Sequence, residues 1–151
     1  MQVLDSIEAL SRLRGPLFTA IGVVDGVHRG HQQVIRQTVD DARKHEASSV
    51  VVTFDCHPAL VLAPAAAPVA IYSPEQQERA IAALGVDALL LIHFDEPFSR
   101  RSVEQFIRDL ADGFGRIHSL CVGAEFVFGH SSSHNVALLR DLGRALGFSV
   151  H

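Results

Sequence analysis

A turn rich in glycine and histidine carries the strongest chemical signal in the sequence. Gly22, Gly26 and Gly30 allow the backbone to turn sharply and allow a ligand to approach it closely. His28 and His31 flank Gly30, which has no side chain, so we expect a polyphosphate to pack between the two imidazoles. Such imidazoles could donate hydrogen bonds to an α-phosphate as charge develops on its oxygens during phosphoryl or nucleotidyl transfer.

The segments around this turn place it where α/β proteins bind phosphates. Residues 17–23 form an apolar run that predicts a buried strand, and residues 30–44 have the apolar spacing of an amphipathic helix. The first N–H groups of a helix lack partners within it and lie at the positive end of its dipole. The turn therefore predicts an anion site that needs no basic patch.

The rest of the chain repeats the alternation of strand and helix. Further strands are predicted at 49–54, 87–93, 119–122 and 148–150, with helices capped by Ser73, Ser102 and Asn135 between them. The Pro- and Ala-rich residues between 55 and 72 predict an irregular connection. We therefore predict an α/β fold: a doubly wound, Rossmann-like, parallel five-stranded sheet with helices on both faces and ligands at the carboxyl ends of its strands.

Composition limits the classes of partner. The chain has 151 residues, which suits a single domain, and a net charge of −4, which gives no general attraction to nucleic acid or to an anionic membrane. No apolar run is long enough to span a bilayer. The two cysteines, Cys56 and Cys121, give no disulfide framework, so a cytoplasmic location is expected. Any phosphate ligand must therefore be held by local groups.

On spacing alone, other interpretations of the turn stay open. The segment lacks both GxGxxG and GxxxxGK[ST], so it could be no more than a tight connection. His28 and His31 could form a metal pair, although no nearby Cys or His completes a tetrahedral set. Cys56 beside His57 suggests an activated thiol, but adjacent loop residues usually point apart.

The turn resembles a known signature. The sequence GVVDGVHRGHQ is similar to the HxGH motif of nucleotidyltransferases, and in detail to that of the bacterial FAD synthetase family, the adenylyltransferase part of bifunctional riboflavin kinase/FMN adenylyltransferases. Other segments agree in order: TFDCHP at 53–58, LGVD at 84–87 with FDEPF at 94–98, VEQF at 103–106, and VGAEFVFG at 122–129. The resemblance extends over about residues 17 to 150.

This resemblance implies a nucleotidyltransferase-type fold and the reaction ATP + FMN → FAD + pyrophosphate, with Mg²⁺ and without a covalent enzyme intermediate. It implies that His28 and His31 contact the ATP phosphates and stabilise the transition state. It assigns no metal ligand. The other residues that it implies are Gly22, Val23, Asp25, Gly26 and Gly30 on the ATP side, and Asp55, His57, Pro58, Glu125, Phe126, Phe128 and Gly129 on the FMN side.

The sequence also departs from the family pattern. Val24 replaces the usual Phe, Cys56 replaces the first Pro of the PHP-like motif, and Glu125 and Val127 replace Asp and Arg. The chain reaches His151 before an ISSTxIR-like motif, and we expect one domain over 1–151 without a riboflavin kinase domain. Two alternatives therefore stay open: a non-catalytic module that binds nucleotide or flavin, and a nucleotidyltransferase with another phosphorylated acceptor.

Overall fold

The computed structural model describes residues 1–114, 117–123, 126 and 135–151. These residues form a sheet of six parallel strands flanked by helices. The strands are β1 (Gln2–Leu4), β2 (Leu17–Ile21), β3 (Ser48–Phe54), β4 (Ala88–Ile92), β5 (Ile117–Val122) and β6 (Ser149–Val150). The α-helices are α1 (Arg29–Lys44), α2 (Ala59–Leu62), α3 (Pro74–Ala82), α4 (Glu96–Ser99), α5 (Val103–Phe114) and α6 (Asn135–Leu146).

The strands lie in the order β1-β4-β3-β2-β5-β6. From β2 the chain passes first to β3 and then to β4 on one side, and later returns to place β5 on the other side of β2. The direction of winding therefore reverses between β2 and β5. In open parallel sheets this reversal leaves a crevice at the carboxyl ends of the two strands, because the adjoining connections run away from each other.

Both faces of the sheet are covered, which confirms the predicted α/β architecture. On one face, Ala20, Val51 and Leu89 of the central strands pack against Ile35 of α1 and Ile81 of α3. On the other face, β2 to β5 pack against α5, α6 and a short 3₁₀ helix, Glu8–Arg12. Apolar residues fill both interfaces, and their burial is the main favourable contribution to folding.

The prediction of five strands was wrong, because the sheet also contains β1. This strand pairs only with β4, at the edge of the sheet, and Leu4 is its one buried residue. Three residues with a single buried side chain give no periodic signal, so the sequence does not predict this strand. The five predicted strands are all present, with boundaries within two residues of those expected.

Local sequence signals explain where α3 begins and what precedes it. Ser73 caps α3 through a reciprocal pair of hydrogen bonds with Gln76. The connection between β3 and α3, predicted to be irregular, contains the short α2 and a 3₁₀ turn, Pro64–Ala66, neither of which has a buried residue.

Among the described residues, no helix is both long and apolar enough to cross a membrane.

Two buried threonines of the sheet allow a matched test of core polarity. Thr19 is 0% exposed and its hydroxyl finds no hydrogen-bond partner, whereas the hydroxyl of Thr53 accepts a bond from Val24 N at 3.4 Å. Replacing Thr19 with Val removes an unsatisfied buried group, so we expect T19V to raise the free energy of unfolding by about 1 kcal/mol.

Urea denaturation of T19V, T53V and the unmodified chain measures this difference. We expect T53V to be destabilised, because the N–H of Val24 loses its acceptor. A T19V variant that is less stable than the unmodified chain would show that the hydroxyl of Thr19 is favourably paired in solution.

Candidate nucleotide site

A cavity of about 790 Å³ lies at the carboxyl ends of β2 and β5. This is the point where the winding of the sheet reverses, and the volume is typical of small-molecule sites. Most of the lining side chains are apolar. The cavity is lined by residues 20–24, by His28, Gly30, His31 and the following residues 33–35 of α1, by Phe54 at the end of β3, and by Val122, Gly123 and Phe126 after β5.

The backbone between β2 and α1 is tightly turned. Gly26 has φ +71°, which is accessible to glycine at little cost. Val27 has φ +41°, a conformation that costs a β-branched residue about 1–3 kcal/mol. Its side chain is buried in the core cluster that contains Ile35 of α1 and Ile81 of α3. Gln32 Nε2 donates a hydrogen bond to Val27 O at 2.9 Å, so α1 itself holds the turn.

The start of α1 offers hydrogen-bond donors to the cavity. His28 occupies the N-cap position without making a side-chain cap, and the helix begins at Arg29. The first bond along the helix runs from Gln32 N to His28 O at 3.0 Å, so the N–H groups of Arg29, Gly30 and His31 precede the helical ladder. These donors and the helix dipole favour an anion at this position.

The imidazoles of His28 and His31 are in contact with each other. Their ring centroids are 3.7 Å apart at an angle of 31°. A phosphate does not fit between rings at van der Waals distance, so the expectation that polyphosphate packs between them is not met in this arrangement. In this geometry a phosphate would meet the ring edges and the amides beside Gly30, where an added Cβ would lie 3.6 Å from His28 Nδ1.

His31 is the more perturbed of the two histidines. Its Nδ1 is buried and has no hydrogen-bond partner. Partial burial and the neighbouring His28 lower the pKa of His31, while the carboxylate of Asp25 acts in the opposite direction. The neutral form of His31 is therefore favoured in the ligand-free protein, and this imidazole can respond strongly to an added negative charge.

Asp25, predicted on the ATP side, is directed away from the cavity. Its carboxylate accepts hydrogen bonds from Ile71 N at 3.1 Å and from Tyr72 N at 3.3 Å, just before α3. Gln77 of α3 donates to Val24 O at 2.9 Å. The turn is therefore joined to α3 and to the segment before it, a connection that no motif in the sequence indicated.

On the predicted FMN side, Asp55 follows β3 directly and pairs with a residue that the sequence interpretation missed. Its carboxylate lies 2.5 Å from His93 Nδ1 and accepts the N–H of Phe94 at 3.0 Å. Although partial burial acts to raise the pKa of Asp55, the Phe94 N–H and the imidazole hold it below its usual value. The same bond to Asp55 raises the pKa of His93. The only signal for His93 was its position at the end of a predicted strand.

The remaining predicted residues are placed differently. His57 Nδ1 accepts a bond from Ala59 N at 3.1 Å, and Pro58 precedes α2, so both begin the connection after β3 rather than line the cavity. Phe126 lines the cavity. Glu125, Phe128 and Gly129 lie outside the described residues, so their roles stay predictions.

Cys56 does not have the features of a nucleophile. Partial burial and the adjacent Asp55 raise the pKa of its thiol, which disfavours the reactive thiolate. Its Sγ donates to Phe94 O at 3.5 Å. The residue that replaces proline in the family motif thus makes a structural contact with the segment that follows β4.

A second cavity, of about 610 Å³, lies beside the carboxyl ends of β1 and β4. Three of its polar side chains have structural partners: Asp95 caps α4 through Phe98 N at 2.7 Å, and Arg101 pairs with Asp109 at 2.6 Å. No residue of the His28–His31 turn lines it. In the part of the chain that the structure describes, no three His, Cys, Asp or Glu side chains are grouped closely enough to hold a metal ion.

Comparison with known proteins adds family membership to this geometry. The FAD synthetase family model matches residues 12–151. A bifunctional riboflavin kinase/FMN adenylyltransferase of Escherichia coli K12 is 32% identical over 130 residues, which are 86% of this chain and 42% of that protein. A relative from Geobacillus thermodenitrificans is 38% identical over 121 residues, which are 80% of this chain and 65% of the relative. The chain thus spans less than two thirds of these relatives.

The fold has a counterpart among solved structures. The crystal structure of a macrolide-efflux protein from Streptococcus pneumoniae matches 99% of this chain and 49% of its own, with a TM-score of 0.77 and 22% identity. At that identity the likeness concerns the fold alone. The family model, by contrast, covers nearly the whole chain, including the His28–His31 turn and the cavity. The chain therefore belongs to the FAD synthetase family.

Proposed function

We propose that this chain is an FMN adenylyltransferase domain with a nucleotidyltransferase type of α/β fold, which transfers AMP from ATP to FMN. The observation that carries the proposal is the His28–His31 turn at the start of α1, which lies on the cavity at the reversal of the sheet in a member of the FAD synthetase family. The names of the relatives support the same activity.

In this reaction a phosphate oxygen of FMN attacks the α-phosphorus of ATP. The new P–O bond forms as the bond to pyrophosphate breaks, so FAD and pyrophosphate are the products and no enzyme intermediate is needed. The N–H groups at the start of α1 and the two imidazoles would contact phosphate oxygens and neutralise the charge that develops on them. Gly22 and Gly30 would allow the nucleotide to approach the backbone.

Mg²⁺ enters this proposal with its substrate. Magnesium in such sites is held largely by substrate phosphates and water, with one or two carboxylates at most. The carboxylate of the turn, Asp25, already accepts N–H groups of Ile71 and Tyr72, and the described residues contain no three-ligand cluster. We therefore treat Mg–ATP as the substrate and assign no protein ligand to the ion. The expected absence of nucleic-acid binding and the cytoplasmic location stay predictions.

Replacing His28 with Ala tests the turn directly. We expect the rate of FAD formation from FMN, Mg–ATP and the chain to fall by about 10²-fold, because one preorganised donor to the developing charge is lost. Chromatography of FAD with a parallel pyrophosphate assay measures the rate. His45→Ala is the control, since His45 is exposed at the opposite end of the same helix.

The assay separates the proposal from its alternatives. FAD formation no higher than that of H28A would contradict the proposal. Nucleotide or FMN binding without turnover would indicate a binding module, and pyrophosphate release with another phosphorylated acceptor but not with FMN would indicate a different transferase.

The lowered pKa of His31 predicts a pH effect on nucleotide binding. A bound triphosphate adds negative charge and favours the imidazolium, so we expect the pKa of His31 to be higher in the complex than in the free protein. A group whose pKa rises on binding takes up a proton. Affinity for ATP should therefore increase as pH falls through the interval between the two pKa values.

Proton–carbon NMR of the His31 ring, followed against pH with and without Mg–ATP, measures both pKa values. Calorimetry in two buffers of different ionisation enthalpy measures the proton uptake, which His31→Gln should reduce. A pKa of His31 that is unchanged or lower with nucleotide would show that the ring does not face the phosphates.

A further inference from the structure

The connection between β3 and α3 forms a separate feature at the edge of the site, which we name the strap (residues 59–72). It starts next to His57 and Pro58 at the carboxyl end of β3, and it ends against the turn that follows β2. Neither its helical turn α2 nor its 3₁₀ turn has a buried residue. Val61 packs against the core only in part, so few apolar contacts hold the strap.

Asp25 supplies the polar contacts that fix the far end of the strap. Both carboxylate oxygens accept the N–H of Ile71 at 3.1 Å, and one accepts the N–H of Tyr72 at 3.3 Å. Bonds from N–H groups to a carboxylate are stronger than those between neutral groups. The side chain of Ile71 lies over Gly26, where an added Cβ would be 3.0 Å from Ile71 Cδ1. The turn and the strap therefore fit together closely at this point.

The strap presents apolar side chains to solvent both at its start and near its contact with the turn. Val69 is 90% exposed and Ile71 is 68% exposed, and Leu60 and Leu62 are exposed as well. Large apolar side chains grouped on one exposed segment indicate a surface that binds something. Beside a turn suited to phosphate, they match a ligand with a flat apolar ring and a phosphate group, which is the chemistry of the acceptor in the proposed reaction.

We propose that Asp25 is a positioning residue. It fixes the strap against the turn between β2 and α1, and so sets the affinity for the aromatic acceptor rather than the rate of transfer. The proposal rests on the proposed function. Without the carboxylate, the strap must be ordered when the acceptor binds, and that ordering reduces affinity. ATP depends instead on the start of α1, which is held by Gln32 and by the helix itself.

Steady-state kinetics of three variants test this role. Asp25→Ala should raise KM for FMN about tenfold, with kcat and KM for ATP changed less than about twofold, since bonds to a charged acceptor are worth roughly this factor. Asp25→Asn keeps one oxygen that can accept the N–H of Ile71. Its KM for FMN should therefore lie between that of the unmodified chain and that of Asp25→Ala. Asp87→Ala is the matched control: its carboxylate also accepts a backbone N–H, that of Ser49 at 2.8 Å, but at the opposite end of the sheet.

Hydrogen exchange of the ligand-free protein tests the contact separately from activity. In Asp25→Ala, the amides of residues 69–73 should exchange faster while those of α1 do not change. In Asp87→Ala, these amides should exchange as in the unmodified chain, and KM for FMN should be unchanged even where stability falls.

Several results would overturn the proposal. A fall in kcat with unchanged KM would place Asp25 in the transfer step, and equal increases of both KM values would place its effect on the turn. Unaltered exchange at 69–73 would show that Asp25 does not hold the strap. Where the unmodified chain forms no FAD, the proposed function fails, and the Kd for FMN replaces KM: a Kd weakened only in the Asp25 variants supports the positioning role, and a Kd that is unchanged or not measurable rejects it.

Discussion

Backbone N–H groups at the start of a helix have no carbonyl partners within it, and the site is organised around this constraint. In this chain the N–H groups of residues 29–31 precede the first helical bond, and Gly30 and His31 line a cavity at the reversal of the sheet. Their position depends on the turn before them, in which Val27 is held in a left-handed conformation. Burial of Val27 and the bond from Gln32 to its carbonyl offset the local strain.

The sheet fixes the position of the strand that leads into the turn. β2 lies at the centre, is buried along its whole length, and pairs with β3 and β5 on its two sides. A strand fixed in this way determines where the following residues emerge. The strap, by contrast, has little buried surface and depends on Asp25 for its position. The proposed nucleotide side of the site is thus built on the core, whereas the proposed acceptor side depends on a few polar bonds.

Much of this arrangement could be predicted from the sequence, because the relevant signals are local. Apolar runs predicted five strands, helical spacing predicted α1, and glycines with two histidines indicated the turn whose residues line the cavity. The edge strand β1 has one buried residue and therefore no period to detect. The contact between the His28 and His31 rings depends on side-chain rotamers, and the bonds of Asp25 join residues 46 and 47 positions apart, so spacing could not reveal either.

The hydrogen bonds of Asp25 explain how an acidic residue can lie in a turn suited to anions. A carboxylate directed toward bound phosphate would repel it, since like charges in a partly buried site interact strongly. Here the carboxylate is directed to the opposite side of the turn, where the N–H groups of Ile71 and Tyr72 compensate its charge. Its remaining influence on the site acts through His31, where it partly counters the effect of burial on the pKa. Asp25 therefore acts mainly on the segment before α3, and its effect on the pKa of His31 is smaller than those of burial and of His28.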